Sequence, residues 1–186
     1  MNYTALATAA AMTLSGAAFA QDMTTENPMV GGAPMMADMN IVENAVNSAD
    51  HTTLVAAVQA AGLVETLSGE GPFTVFAPTN EAFDMISDET LEQLMMPEHK
   101  EQLAQILACH VVAADADAMA IKGMIDADGG THPVPTVGGC TLQATYDGDD
   151  IMLTDENGRT ANVTIANVQQ SNGVIHVIDR VLLPQQ

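Results

Sequence analysis

The chain has 186 residues, of which 24 are Asp or Glu and only 4 are Lys or Arg, so its formal net charge at pH 7 is −20. That field repels phosphate backbones and anionic headgroups, and no basic patch offsets it, which makes nucleic acid and anionic membrane poor partners. Hydrophobic residues make up 47% of the chain but aromatics only 3%, with no Trp. There is enough to bury a core and too few rings for an aromatic-dependent base or sugar platform.

Residues 1–20 read as a secretory signal, not as part of the fold. The segment MNYTALATAAAMTLSGAAFA has an Ala-rich apolar middle and ends in the small-x-small pattern Ala18-Phe19-Ala20. It lacks Lys or Arg in its n-region, and it is too short and too broken by Thr and Ser to span a membrane. No cysteine lies near the cut and no second long apolar run follows. The expectation is a secreted chain, periplasmic or extracellular, with no lipid anchor and no transmembrane segment after cleavage. The acidic field costs stability through self-repulsion and is screened at high salt, which would suit a saline habitat.

Residues 21–38, QDMTTENPMVGGAPMMAD, are rich in Met, Gly and Pro and read as a flexible arm before a single domain over 39–186. Met23, Met29, Met35 and Met36 raise a soft-metal reading such as copper(I) capture, against loose packing of the thioethers on the domain. Packing is favoured, because the arm has neither His nor Cys.

Helical spacing starts at Ile41. Ile41, Val42, Ala45 and Val46 are expected on one face, and Leu54, Val55, Val58 and Ala61 on the face of a second helix. Ser48 or Asp50 can cap that second helix and Gly62 ends it. Leu63–Leu67 adds a short turn, and 68–72 is a loop. Phe73–Ala77 reads as a buried strand, and strand pairing stops at Pro78, which has no N–H to donate. Thr79 or Asn80 can cap the next turn, which returns Ala82, Phe83 and Ile86 to the core. Ser87 caps a further helix, and Pro97 opens the one that runs to Cys109. Cys109–Val112 is strand-like, and ADADAMAIKGM is helical. From His132 onward five runs read as strands, with hairpin signals at Asp147-Gly148 and Asn157-Gly158. Helices first and a meandering sheet second give an α+β domain.

Chemical motifs are few. The chain has no G-x-S-x-G, P-loop, G-x-G-x-x-G or H-E-x-x-H. The Asp-rich stretches lack EF-hand spacing. No catalytic residue, cofactor or metal site is assigned, and a hydrolase ranks last. Cys109 and Cys140 are the only cysteines, and in an exported chain a disulfide is favoured. It would close a loop of about 30 residues, contributing ~3.5 kcal/mol by chain entropy. Two free buried thiols come next, and a metal site of Cys109, His110, His132 and Cys140 comes last. His110 and His176 lie in apolar, strand-like runs, where a hydrogen-bonded core histidine is the more frequent case.

Two stretches together carry a resemblance. Residues 74–83, TVFAPTNEAF, and residues 172–184, NGVIHVIDRVLLP, resemble the two signature segments of fasciclin (FAS1) domains. Between them LAQILACHVV places Cys109-His110 where that family usually has Tyr-His. The resemblance spans about Asn40 to Pro184 and implies a wedge-shaped β-sandwich flanked by helices. It also implies an extracellular role in adhesion or surface recognition, without catalysis. The motif residues are Thr74, Phe76, Pro78, Thr79, Asn80, Phe83, His110, Asn172, Gly173, His176 and Asp179, and the 74–83 corner is implied to be architectural. Cys109 in place of Tyr implies that a disulfide substitutes for a tyrosine hydrogen bond. Animal members carry an Asp-Ile pair before the second signature that is implicated in integrin binding; Asn167-Val168 stands there instead. The expected partner is an unidentified cell-surface, envelope or matrix component. The alternative is a periplasmic protein that binds a small ligand or soft metal.

Overall fold

The computed structural model describes residues 27–185; the expected signal and the first part of the arm, Met23 included, lie outside the described residues. The stretch 27–38, expected as part of a flexible arm, instead packs on the domain. Its strands β1 (Met29–Val30) and β2 (Ala33–Pro34) form a small hairpin, with Val30 and Met35 buried.

Helix α1 (Ile41–Asn47) opens with a capping box: Asn40 Oδ1 accepts from the Glu43 N–H, and Glu43 Oε2 accepts from the Asn40 N–H, both at 2.9 Å. Its inner face differs from expectation. Val46 is 57% exposed, and Asn44 takes the buried place. Asn44 can be buried because its amide accepts from Met36 N–H and donates to the Met36 carbonyl and to Gln170 Oε1. A 3₁₀ turn at Ala49–His51 leads into α2 (Thr52–Ala61), which Gly62 ends in the left-handed region at φ +73°. Neither Ser48 nor Asp50 caps α2. Asn80, far along the chain, accepts from the Thr53 N–H at 3.0 Å and supplies that cap.

After α3 (Val64–Leu67) come β3 (Phe73–Pro78) and α4 (Asn80–Asp84), the latter capped by Thr79 Oγ1 on Ala82 N–H at 3.3 Å. Then follow α5 (Asp88–Leu94), a 3₁₀ turn opened by Pro97, and α6 (Lys100–Ala108). Ser87 bonds Thr90 Oγ1 at 2.6 Å and does not cap the α5 backbone. Cys109 and His110, expected in a strand, end α6 instead: their N–H groups bond the carbonyls of Gln105, Ile106 and Leu107. Only β4 (Val111–Val112) is extended. Helix α7 (Ala118–Ala127), capped by Asp117, precedes the five expected strands. These are β5 (His132–Pro135), β6 (Thr141–Asp147), β7 (Asp150–Thr154), β8 (Thr160–Gln170) and β9 (Gly173–Ile178).

The seven strands of the large sheet run in the order β4-β3-β9-β8-β7-β6-β5, antiparallel except for the parallel β3/β9 pair. The class is α+β, and the sandwich is one sheet folded over itself. Strand β8 makes the fold: its first residues pair with β7 and its remainder with β9, with register shifts at Val163/Ile165 and Ile165/Val168. The two edges then nearly meet. Val137 N–H donates to the Val111 carbonyl at 2.8 Å, Gly138 N–H donates to the Ala108 carbonyl at 3.0 Å, and the Cys109–Cys140 disulfide ties them. Gly138 permits this approach, since a Cβ there would lie 2.7 Å from Cys109 N. Alternation along β3 and β9 separates two apolar clusters. Val75, Ala77, Ile175 and Val177 face α2 and α6, while Phe76 and Ile178 face Ile121, Ile125, Leu142 and Leu153 inside the folded sheet.

Candidate functional site

The two signature segments are neighbours: β3 and β9 pair residue for residue, from Phe73 opposite Gly173 to Pro78 opposite Ile178. Phe76 and His176 stand side by side in this register, with ring centroids 5.7 Å apart and stacked. Gly173 has φ +155°, and a Cβ there would collide with the Phe73 carbonyl, so only glycine fits. Thr79 N–H reaches the Ile178 carbonyl at 3.3 Å, and the chain turns into α4, where Phe83 is buried. The corner therefore carries pairing, capping and packing.

Both signature histidines are buried and have both ring nitrogens engaged. His110 Nδ1–H donates to the Ile106 carbonyl at 2.8 Å, and Nε2 accepts from Leu182 N–H at 2.9 Å. Burial lowers its pKa to about 4, against smaller opposing effects of the Ile106 bond and the Asp155 charge. His176 has the other tautomer: Nε2–H donates to the Ala116 carbonyl at 2.8 Å, and Nδ1 accepts from Asn167 N–H at 3.4 Å. Burial lowers its pKa too, opposed by that carbonyl and by Asp117 and Asp115. Thr74 completes this anchor, donating to the Ala114 carbonyl at 2.6 Å and accepting from Ala116 N–H at 2.9 Å. Together Thr74 and His176 hold the segment leading from β4 into α7.

Asn172 joins three elements. Its Oδ1 accepts from Ile41 N–H at the start of α1, and its Nδ2 donates to the carbonyls of Leu67, the last residue of α3, and of Gly69 just beyond it, at 2.8 and 2.9 Å. Asp179 holds Asn162 of β8 through Oδ1 to the N–H at 2.8 Å and Oδ2 to the side-chain amide at 2.7 Å. Asn80 also donates to the Ala49 carbonyl at 2.8 Å.

Among the described residues, no three His, Cys, Asp or Glu side chains come together as a metal-binding group. Cys109 and Cys140 are bonded to each other, His110 is held as above, and His132 Nδ1 lies 2.6 Å from Asp128. In the arm, Met29 is 59% exposed and Met35 is buried, while Met23 lies outside the described residues.

Sequence reading missed four polar residues. Asn44 seats the N-terminal hairpin. Asp155, 4% exposed, accepts from the N–H groups of Asn157, Arg159 and Leu183. Asn167, at φ +61°, caps the start of α7 by accepting from Ala118 N–H at 2.7 Å. His51 is buried beneath α1. In the Asn167-Val168 pair, Asn167 is exposed with its Oδ1 engaged, and Val168 is fully buried.

On the surface, Ala82, Met85, Ile86 and Val181 line an open groove together with Arg159 and Arg180. Met85 is 63% exposed. Two of the four basic residues of a chain with net charge −20 thus meet at one apolar groove.

These features define a fasciclin-type domain, and the comparisons agree. The Fasciclin domain family model matches residues 49–184, and the chain belongs to that family. It is 41% identical over 183 residues to Protein sll1483 of Synechocystis, covering 98% of this chain and 94% of that protein. Cell surface glycolipoprotein MPB83 of Mycobacterium bovis is 33% identical over 159 residues, covering 83% of this chain and 64% of that protein. Among solved structures, a FAS1 domain pair from the insect cell adhesion molecule fasciclin I matches with a TM-score of 0.69 at 17% identity, over 78% of this chain and 51% of that one.

Proposed function

We propose that this chain is an exported, non-catalytic recognition protein that attaches to a cell-surface, envelope or matrix component by surface contacts. One observation carries the reading: the polar signature residues Thr74, Asn80, His110, Asn172, His176 and Asp179 are all engaged in hydrogen bonds within the domain. Groups committed in this way serve architecture, which leaves recognition to the outer surface. The names of the relatives, a cell surface glycolipoprotein and an insect cell adhesion molecule, support the same role. The groove at Arg159 and Arg180 is where an acidic, partly apolar patch of a partner would dock, since elsewhere the acidic surface repels it.

The test is binding of labelled protein, starting at Gln21, to whole cells and to isolated envelope and matrix fractions across low and high salt. Saturable binding to one fraction is the expected result, weakening with salt as screening sets in. Absence of saturable binding to every fraction would overturn the proposal.

A further inference from the structure

Beneath the N-terminal hairpin the domain encloses a space that the signature residues do not fill. It is an apolar cavity of ≈ 40 Å³ between α1, α2 and the helix-facing side of β3 and β9, with Met35, Leu54, Val58, Val75 and Ile175 in its wall. Val42 of α1 and Val55 of α2, both half-buried, are among the partly exposed members of that wall. One polar side chain is out of keeping with this lining. His51 is 3% exposed, its Nδ1 lies 2.9 Å from Ser48 Oγ, and its Nε2 has no hydrogen-bond partner. Burial lowers its pKa; the Ala77 carbonyl and Asp50 oppose this in part, but that carbonyl does not complete a hydrogen bond to Nε2. The ring is therefore neutral near pH 7, and it brings one unpaired hydrogen-bonding position to the wall of an apolar cavity. Leaving it unmade costs free energy that a suitable guest would recover.

The chemistry of that guest follows from the wall and the charge. Its body must be apolar. Its head must be uncharged, because a neutral imidazole in an apolar pocket cannot hold a carboxylate or phosphate and the field of a −20 chain repels both. A hydroxyl suits best, since it pairs with Nε2 whether that nitrogen donates or accepts. The enclosed space admits the hydroxyl head and little more, so a longer chain has to part the half-buried side chains of Val42 and Val55 to run out between α1 and α2. The hairpin roof is tied down by Ala49 N–H to the Gly31 carbonyl at 3.2 Å and by the Asn44–Met36 pair.

We propose that this cavity binds an uncharged long-chain alcohol, with its hydroxyl on His51 Nε2 and its hydrocarbon between α1 and α2. The site stands independently of the surface recognition proposed above.

The experiment titrates the folded, oxidised protein with octan-1-ol, with octane as the matched control. The His51 ring nitrogens are followed by NMR and the affinity by calorimetry. Expected are a saturable shift of His51 Nε2, and binding weakened about five- to tenfold in His51→Phe, the range one hydrogen bond to a neutral group supports. In case His51→Phe does not fold, Val55→Asp in the cavity wall keeps the histidine and is expected to abolish the saturable shift. No saturable shift in the wild type, meaning a cavity that takes only water, would overturn the proposal. So would octane binding as tightly as octan-1-ol, or wild-type affinity in a folded His51→Phe or Val55→Asp.

Discussion

Acidification from pH 7.5 to 5 should destabilise the protein, and His110 should carry a definable share. Folded, its pKa is lowered from 6.5 to about 4. The neutral ring fits because Nε2 accepts from Leu182 N–H; a proton there would set two donors against each other in a buried site. The unfolded chain takes up the proton near pH 6.5 and the folded chain does not. Stability is thus fully present above pH 6.5 and is lost as pH falls toward 4, where the loss levels off. At pH 5, one and a half pH units below 6.5, this amounts to about 2 kcal/mol at roughly 1.36 kcal/mol per unit. His51 and His176 shift in the same direction and steepen the fall. Most carboxylates stay ionised above pH 5, so the histidines dominate that window. The assay is urea unfolding followed by far-UV circular dichroism at pH 5.0 to 7.5, on wild type and His110→Phe. The variant should be weaker at pH 7.5 by about 1–3 kcal/mol, because Leu182 N–H loses its acceptor. It should also lose roughly one proton's worth of slope, about 1.4 kcal/mol per pH unit, between pH 5 and 6.5. An unchanged slope in His110→Phe would refute the reasoning.

The remaining predictions concern stability at fixed pH. Phe76→Ala removes a ring that is 1% exposed and stacked on His176, and should cost about 3–5 kcal/mol. Pro78→Ala should cost far less, because the ring mainly limits the unfolded chain; equal melting midpoints would contradict the contrast. Asn172→Ala breaks three hydrogen bonds joining α1, α3 and β9 and should cost about 2–4 kcal/mol; a midpoint within error of wild type would show that water replaces them. The double variant Cys109→Ser/Cys140→Ser should lose ~3.5 kcal/mol. Unfolded, unreduced wild type should take up no thiol label, and labelling of both cysteines would disprove the bond.

Much of this architecture is legible in the sequence because it is local. Period-2 runs and turn residues reveal β5 to β9, although the Asp147-Gly148 signal is one residue off: Asp147 pairs with Asp150, and Gly148-Asp149 forms the turn. Gly62 ends α2 as its position implies. Short helices are less legible. Seven residues make two turns, too few to show that Asn44 and not Val46 lies inside. Cys109 and His110 read as strand because apolar residues surround them, yet the last turn of α6 holds them through backbone bonds. Long-range side-chain bonds are the least legible. Asn80 looks like the cap of its own helix and caps α2 instead, 27 residues away. Asn172 reaches Ile41 across 131 residues. The family resemblance supplies which residues matter, and only the fold shows what each one holds. His51 carries no such signal at all, since its environment is assembled from the hairpin, α1 and β3.

The account rests on a division between an internal signature that builds the domain and an outer surface that recognises a partner. The most direct test compares wild type with Arg159→Ala/Arg180→Ala for binding to whichever cell, envelope or matrix fraction the wild type saturates. Both arginines lie on the groove; without the Arg159 side chain Asp155 keeps its three backbone donors but loses the guanidinium 3.4 Å from Oδ2. Expected are a folded variant with a melting midpoint lowered by the loss of the Arg159–Asp155 ion pair, weaker binding and a reduced salt dependence. Wild-type affinity and salt dependence in the folded double variant would contradict it.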